Sequence, residues 1–337
     1  MNSATLTCGL VIYNEFTLVK NLISLVETEL KNYSFEWIIV LNHENNEIRK
    51  EIQIWLNKYF SDFKIIENPS NNIGQARQKI LENSTADLVY FLDPDIEIQP
   101  ESIQKLLELH QRFLNSDELI IGYGGPNQMI SKYPYLSQVF TCFKRVAQLN
   151  FLAFQIQNHR SLTKVDHLPT CHLLLKKEIA LSIGGFSTDF QKVGEDLDFS
   201  HRAFIHKFNF IFDPQAKVLH WQNSTIQAWL QKCFQYGIAQ IKVQQRYWPK
   251  LRIYRLIPAL TPLIIIGLCL FIPVKILFLF IGFIVVGELL GFSWIGFGLS
   301  ILCYGVGEFF EIIRLPFVQK NVKQPREQTT NPEKKCV

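Results

Sequence analysis

The stretch Leu88-Val89-Tyr90-Phe91-Leu92-Asp93-Pro94-Asp95 decides the fold. Five apolar residues in succession, without polar alternation, describe a strand covered on both faces. The strand stops at Asp-Pro-Asp, where proline presets φ and two carboxylates stand one residue apart. Strands buried on both faces belong to sheets with helical crossovers, and ligands there sit beyond the carboxyl ends of the strands. The same two acids have two readings: ordinary turn chemistry, or a grip on a hard divalent cation such as Mg²⁺ or Mn²⁺.

Working outward, the preceding chain repeats the pattern. Leu6 to Tyr13, Trp37 to Leu41 and Phe63 to Ile66 are short apolar runs. Helical spacing separates them: Leu18, Leu22, Leu25 and Val26, then Ile48, Ile52 and Leu56, then Ala76 to Leu81. Another helix carries Ile103, Leu106, Leu107 and His110 on one face. Strands alternating with helices predict an α/β domain with right-handed crossovers. Residues 126–168 are aromatic and polar with few clear periods, and read as a long excursion able to cover a site. Order returns at Cys171 to Leu175, with a short helix ending at Gly184-Gly185. A helix follows from Glu195 to Lys207, then short strands at Asn209–Phe212 and Lys217–Leu219, then a helix from about Ser224 to Tyr247.

Composition sets the frame for the rest. Among 337 residues 48% are hydrophobic and 19% charged, the latter below the roughly 25% of soluble domains. Disorder, collagen and coiled coil are excluded. From residue 241 onward there are 12 basic and 5 acidic residues, whereas residues 1–240 hold 22 basic and 25 acidic. The negative N-terminal block lacks the basic face of a nucleic-acid binder. Leu256 to Gly287 contains one charge, Lys275, and Leu289 to Gly307 contains none. A lipid-spanning helix needs about 20 apolar residues, so residues 256–313 predict two or three transmembrane helices. Lys242, Arg246, Lys250, Arg252 and Arg255 precede this run and Arg314, Lys320, Lys323 and Arg326 follow it. That places both ends at the cytoplasmic face of a multi-pass membrane protein, with Glu308 to Glu311 able to lie in the interface. The expected organisation is a catalytic domain over 1–225, a juxtamembrane helix over 226–255, the membrane region 256–313 and a basic tail over 314–337. The seven cysteines form no CxxC pair and read as reduced thiols. No secretory signal is expected at Met1-Asn2-Ser3-Ala4-Thr5.

A second acidic group, Gly194-Glu195-Asp196-Leu197-Asp198, follows Gly184-Gly185-Phe186. One acid at a helix start is a cap, but three in four residues exceed what capping needs. Taken in order, Val11-Ile12-Tyr13-Asn14-Glu15, Asn72-Ile73-Gly74-Gln75-Ala76-Arg77, Phe91-Leu92-Asp93-Pro94-Asp95, Gly184-Gly185-Phe186 and Gly194-Glu195-Asp196 resemble the family 2 glycosyltransferases. The resemblance covers about residues 5–225. It implies a GT-A fold, a Rossmann-like, mostly parallel sheet flanked by helices, with the transmembrane helices after it.

The resemblance also implies roles. Tyr13, Asn14 and Glu15 would line the nucleoside pocket, with Asn42 or Glu44 replacing the acids usual at the second strand end. Asp93 would contact the nucleotide sugar, and Asp95 would bind Mg²⁺ or Mn²⁺ with His220 as a third ligand. Arg77 would support the Asp93 turn or face phosphates, and Gly74 would permit close backbone approach. Asp196 would be the catalytic base, with Glu195 the second candidate. Arg202 stands at a position often basic in the family or pairs with Asp198, and His172 could meet acceptor or sugar. The implied reaction is a metal-dependent, inverting transfer from a nucleotide sugar, a UDP-sugar by expectation, to a lipid or saccharide acceptor. The polymerase motif Gln-x-x-Arg-Trp is absent; its nearest counterpart, Gln231 to Tyr236, lacks the arginine, which favours a single transfer. The alternative is an inactive, membrane-anchored scaffold of the same fold. The lack of Gly-x-Gly-x-x-Gly after the first strand, and of a P-loop, removes dinucleotide dehydrogenases and ATPases.

Overall fold

The computed structural model describes residues 5–13, 16–60, 63–147, 159–222, 225–247, 260 and 294–318. Asn14 and Glu15 lie outside the described residues, as do 319–337 and, Leu260 excepted, the apolar run 256–293.

The N-terminal half alternates as its sequence predicts: β1 (Leu6–Ile12), α1 (Phe16–Glu29), β2 (Phe35–Leu41), α2 (Asn46–Tyr59), β3 (Phe63–Glu67), α3 (Ile73–Asn83) and β4 (Leu88–Leu92). β1 and β4 are buried at every position, the reason both lack polar alternation. Side-chain caps set the helix starts: Asn45 Oδ1 accepts from Glu47 N–H, and Asn72 Oδ1 from Gln75 N–H. β5 (Ile96–Ile98), α4 (Ser102–Arg112) and β6 (Ile120–Gly124) follow.

The excursion is ordered in good part. It supplies β7 (Asn127–Ile130), α5 (Pro134–Ala147) and β8 (Thr163–Val165), with 148–158 outside the described residues. Then come β9 (His172–Lys176), α6 (Lys177–Ser182), α7 (Glu195–Ile205), β10 (Asn209–Phe212), β11 (Val218–Trp221), α8 (Ile226–Tyr247) and α9 (Trp294–Val318).

Among the described residues the strands form an eight-stranded sheet, ordered β3-β2-β1-β4-β9-β6-β10-β8, and a three-stranded sheet, β5-β11-β7. The large sheet is mostly parallel, as expected, with only β9 and β8 running against the other six strands. β1 is parallel to β2 and β4, β2 to β3, and β6 to β10. β9 runs against both β4 and β6, and β8 against β10. A parallel neighbour needs a helical crossover; β9 is reached through the excursion instead and enters reversed. The core lies on both faces of the large sheet, with Leu10, Ile39, Leu92 and Leu106 on one side and Val40, Phe91, Leu173 and Phe199 on the other.

Among the described residues no helix is long and apolar enough to cross a membrane. The described end of the expected membrane region, α9, packs along α8. A Cβ on Gly237 would overlap the Tyr304 carbonyl oxygen, and one on Gly307 would overlap that of Phe234. Trp229 Nε1 donates to Ser300 Oγ across the pair. Glu308 and Glu311, placed by their sequence in a membrane interface, are buried within this helix.

Candidate active site

The Asp93-Pro94-Asp95 segment is both a turn and a pair of presented acids. Ile96 N–H reaches the Asp93 carbonyl at 3.4 Å, closing the turn that carries β4 into β5. β11 then fixes the third group, because His220 pairs with Ile96 on one side and Met129 on the other. Ligand atoms of Asp93, Asp95 and His220 all lie within 4.8 Å of one another.

The donor set fits a divalent ion. Asn127 turns its amide nitrogen to Cys171 Sγ at 3.1 Å. Its Oδ1 therefore faces His220 Nδ1 at 3.2 Å and accepts that proton. His220 Nε2 is left facing Asp95 Oδ1, 3.1 Å away. Two electron-pair donors facing each other need a proton or a metal ion between them, and orientation of a histidine through its other nitrogen is the usual arrangement at metal sites. Burial raises the Asp95 carboxyl, but His220 and then Lys232 outweigh it and hold the group below the usual carboxylate range. Burial, with Asp93 and Asp95 adding to it, pushes the thiol of nearby Cys171 well up.

Arg77 joins the two acidic segments. Its Nη2 donates to Asp93 Oδ1 at 2.8 Å, and its Nη1 pairs with Glu195. Arg77 and Glu195 are both almost wholly buried. Glu195 is thus engaged by the arginine, whereas Asp196 accepts at Oδ1 from Leu197 N–H, 2.8 Å away, at the first turn of α7. Gly194 starts that helix at φ +100°, a conformation that favours glycine, and so lets the loop turn sharply into two acids.

All these groups line one cleft of about 420 Å³. Tyr13, Arg77, Asp93, Asp95, Glu195, Asp196 and His220 are on its walls. Asn42 is not; it is buried just past the end of β2, where its Oδ1 accepts from Asn68 and its amide nitrogen has no partner among the described residues. Glu44 is exposed on the neighbouring loop. Gly74 makes the close approach expected of it, but to the backbone of Ser187. Arg202 pairs with Asp198 and donates to the Ile183 carbonyl, outside the cleft. His172 belongs to the core: Nε2 donates to the Ala216 carbonyl at 3.0 Å, so Nδ1 accepts from Tyr90 Oη at 2.7 Å.

The fold also supplies residues that the motifs did not reveal. α8 places Lys232 and Tyr236, one turn apart, on the cleft wall, and Lys232 Nζ donates to Gln222 Oε1 at 3.0 Å. Burial lowers Lys232, but Tyr236, Asp95 and Asp93 carry it above its ordinary value. Burial also raises Tyr236, which keeps its hydroxyl protonated. The i,i+4 spacing was the available signal, and it became legible only with α8 docked against the acids.

The description "Glycosyl transferase family 2" matches residues 7–181, more than half of the chain. The chain belongs to glycosyl transferase family 2. The match ends before Glu195, Asp196 and His220, so it is the fold that brings these into one cleft with Asp93 and Asp95. Over 152 residues this family 2 chain is 25% identical to the SPbeta prophage-derived glycosyltransferase SunS of Bacillus subtilis (strain 168) and to glycosyltransferase SunS of Bacillus phage SPbeta. The matched part is 44% of this chain and 32% of each relative, so the chain spans about a third of the length of these curated relatives. In fold it is similar to the mannosyltransferase PcManGT from Pyrobaculum calidifontis, solved with GDP-Man and Mn²⁺ (TM-score 0.63, 13% identity, 92% of this chain and 88% of that one). It also resembles GalNAc-T7, solved with UDP, GalNAc and Mn²⁺ (TM-score 0.54, 12% identity, 77% of this chain and 51% of that one).

Proposed function

We propose that this chain moves a sugar from a nucleotide-diphosphate sugar to an acceptor hydroxyl, in one metal-dependent, inverting transfer at a membrane. The observation that carries this reading is the convergence of Asp93, Asp95 and His220 with Asp196 on the walls of a single cleft. The Mn²⁺ and nucleotide partners named for PcManGT and GalNAc-T7 agree with it.

Asp93, Asp95 and His220 would hold the ion, which supplies positive charge to the departing diphosphate. Arg77 keeps Asp93 aimed, and Lys232 adds a cation to the same cleft. Asp196 takes the acceptor hydroxyl proton as the bond to the anomeric carbon forms. A base in the same cleft that is not itself one of the ion's ligands fits displacement from the face opposite the leaving group, and hence inversion. Glu195, held by Arg77, is a positioning residue in this scheme. Tyr13, on the cleft wall, would offer the nucleoside a ring.

The apolar run after α8, flanked by basic residues, supports a membrane anchor with the catalytic domain on the cytoplasmic side and a lipid-linked acceptor. The missing arginine in Gln231 to Tyr236 supports a single transfer. Asp196→Asn is expected to lower turnover by about 10²–10⁴-fold, the usual worth of a general base. The same variant should keep the thermal shift produced by Mn²⁺ with UDP or GDP. Near-normal turnover in Asp196→Asn would remove the base assignment.

A further inference from the structure

β7 belongs to the excursion that shows few periods in the sequence, yet its first residue reaches the acid pair through a histidine. Asn127 pairs with Val218 of β11, two positions before His220. Paired residues and residues two apart along a strand share a face. The register therefore puts Asn127 and His220 on one face of the small sheet, where Asn127 Oδ1 meets His220 Nδ1 at 3.2 Å. Both side chains are buried, so these polar atoms rely on each other and not on solvent.

The amide is held at its other end as well. Its nitrogen donates to Cys171 Sγ at 3.1 Å, just ahead of β9 in the large sheet. One side chain thus bridges the two sheets, and the sulfur contact keeps the amide oxygen turned toward the histidine.

The consequence is a choice of tautomer. A neutral imidazole has one N–H and one lone pair. With an acceptor fixed at Nδ1 the proton stays there, and Nε2 can give its electrons to an ion shared with Asp95. Without that acceptor the same proton is better placed on Nε2, because Asp95 Oδ1 lies 3.1 Å away and would accept it. Histidine and carboxylate would then satisfy each other, and an ion would have to break their hydrogen bond to enter.

We infer that Asn127 is a positioning residue for the proposed transfer: it holds His220 as the Nδ1–H tautomer and so keeps the Asp93, Asp95 and His220 set open to a divalent ion. This inference rests on the metal-dependent reading of the cleft. It makes the cleft's metal affinity depend on a side chain outside the donor set itself.

The test is Mn²⁺ binding to the full-length chain without nucleotide, followed by the electron paramagnetic resonance signal of the free ion. Asn127→Leu, similar in volume but without an acceptor, is expected to weaken binding about 10–100-fold, the usual effect of losing a ligand's supporting hydrogen bond. Asn127→Asp, whose carboxylate accepts from Nδ1 in the same way, should bind Mn²⁺ at least as tightly as wild type. Thermal unfolding without metal is measured on each variant, because a purely structural role would lower stability without this pattern of loss and rescue. The ¹⁵N spectrum of histidine-labelled, metal-free wild type in mildly alkaline buffer gives a second readout, with His220 identified by its absence in His220→Gln. Its proton is expected on Nδ1. Wild-type Mn²⁺ affinity in a folded Asn127→Leu, a loss that Asn127→Asp shares, or a proton on Nε2 in wild type would each overturn the inference. Should Asn127→Leu not fold, Asn127→Asp and the wild-type spectrum still decide. If wild type binds no Mn²⁺ while its proton lies on Nδ1, it is the metal-dependent reading that falls.

Discussion

Arg77 concentrates the electrostatics of the site in one side chain. It is buried, and it reaches Asp93 and Glu195 together. Removing one partner of a buried pair leaves an uncompensated charge, at a cost of about 3–5 kcal/mol. Arg77→Gln is therefore expected to destabilise the fold by that amount in urea unfolding, and a change below about 1 kcal/mol would show that the pair is dispensable. His172 gives a pH signature of another kind. Burial pushes it down to about 4, from an ordinary value of 6.5. The folded pKa lies below the unfolded one, so the unfolded chain takes up a proton first as pH falls. Stability is full above about pH 6.5 and declines toward pH 4, in total by about 3 kcal/mol. Asp95 acts lower, because a depressed carboxyl loses its contribution only below its unfolded value near 4. Unfolding measured between pH 7 and 5 should thus show a decline that His172→Gln flattens. Residue chemistry of this kind was partly legible: the resemblance offered the Arg77–Asp93 contact as one of two readings of Arg77. The burial of His172 did not, since a histidine beside a cysteine carries no mark of the carbonyl it will meet.

At the scale of elements, the contact between α8 and α9 shapes one wall of the cleft. It depends on backbone approach at Gly237 and Gly307, where any Cβ would strike a carbonyl of the other helix. Gly237→Val should push the helices apart, at about 1–3 kcal/mol by overpacking. It should also weaken nucleotide binding, because Lys232 and Tyr236 ride on α8. A variant with lowered stability but unchanged nucleotide affinity would separate the helix pair from the site. Neither glycine stood out by sequence, since glycine within an apolar segment has many uses and only the facing helix selects one. The first strands and helices were legible almost to the residue, because period and burial agree there. The excursion was not. β7 forms only beside β11, and α5 buries Leu136, Val139 and Phe140 against Trp229 and Tyr304, distant in sequence.

For the molecule as a whole, metal and nucleotide should act as one ligand. Removing divalent ions with EDTA should abolish the nucleotide-induced stabilisation, and restoring Mn²⁺ should return it. At a hundred times the dissociation constant the gain is about 2.7 kcal/mol. Asp95→Asn is expected to lose that gain while folding normally. A nucleotide shift that survives EDTA would exclude the ion from donor binding. Three kinds of information were present in the amino-acid order alone: the alternation that builds the sheet, the acids at strand and helix ends, and the long apolar run. Each is local, and a local pattern speaks through period, burial and turn chemistry. That Arg77 holds Glu195, and that Asp196 lines the same cleft, was settled only by tertiary structure. So were the reversed β9, the meeting of His220 (which the resemblance had named) with the acid pair, and the lysine that α8 delivers. These depend on groups as far apart as Asp95 and His220 meeting across a sheet junction, and distance along the chain carries no information about distance in space.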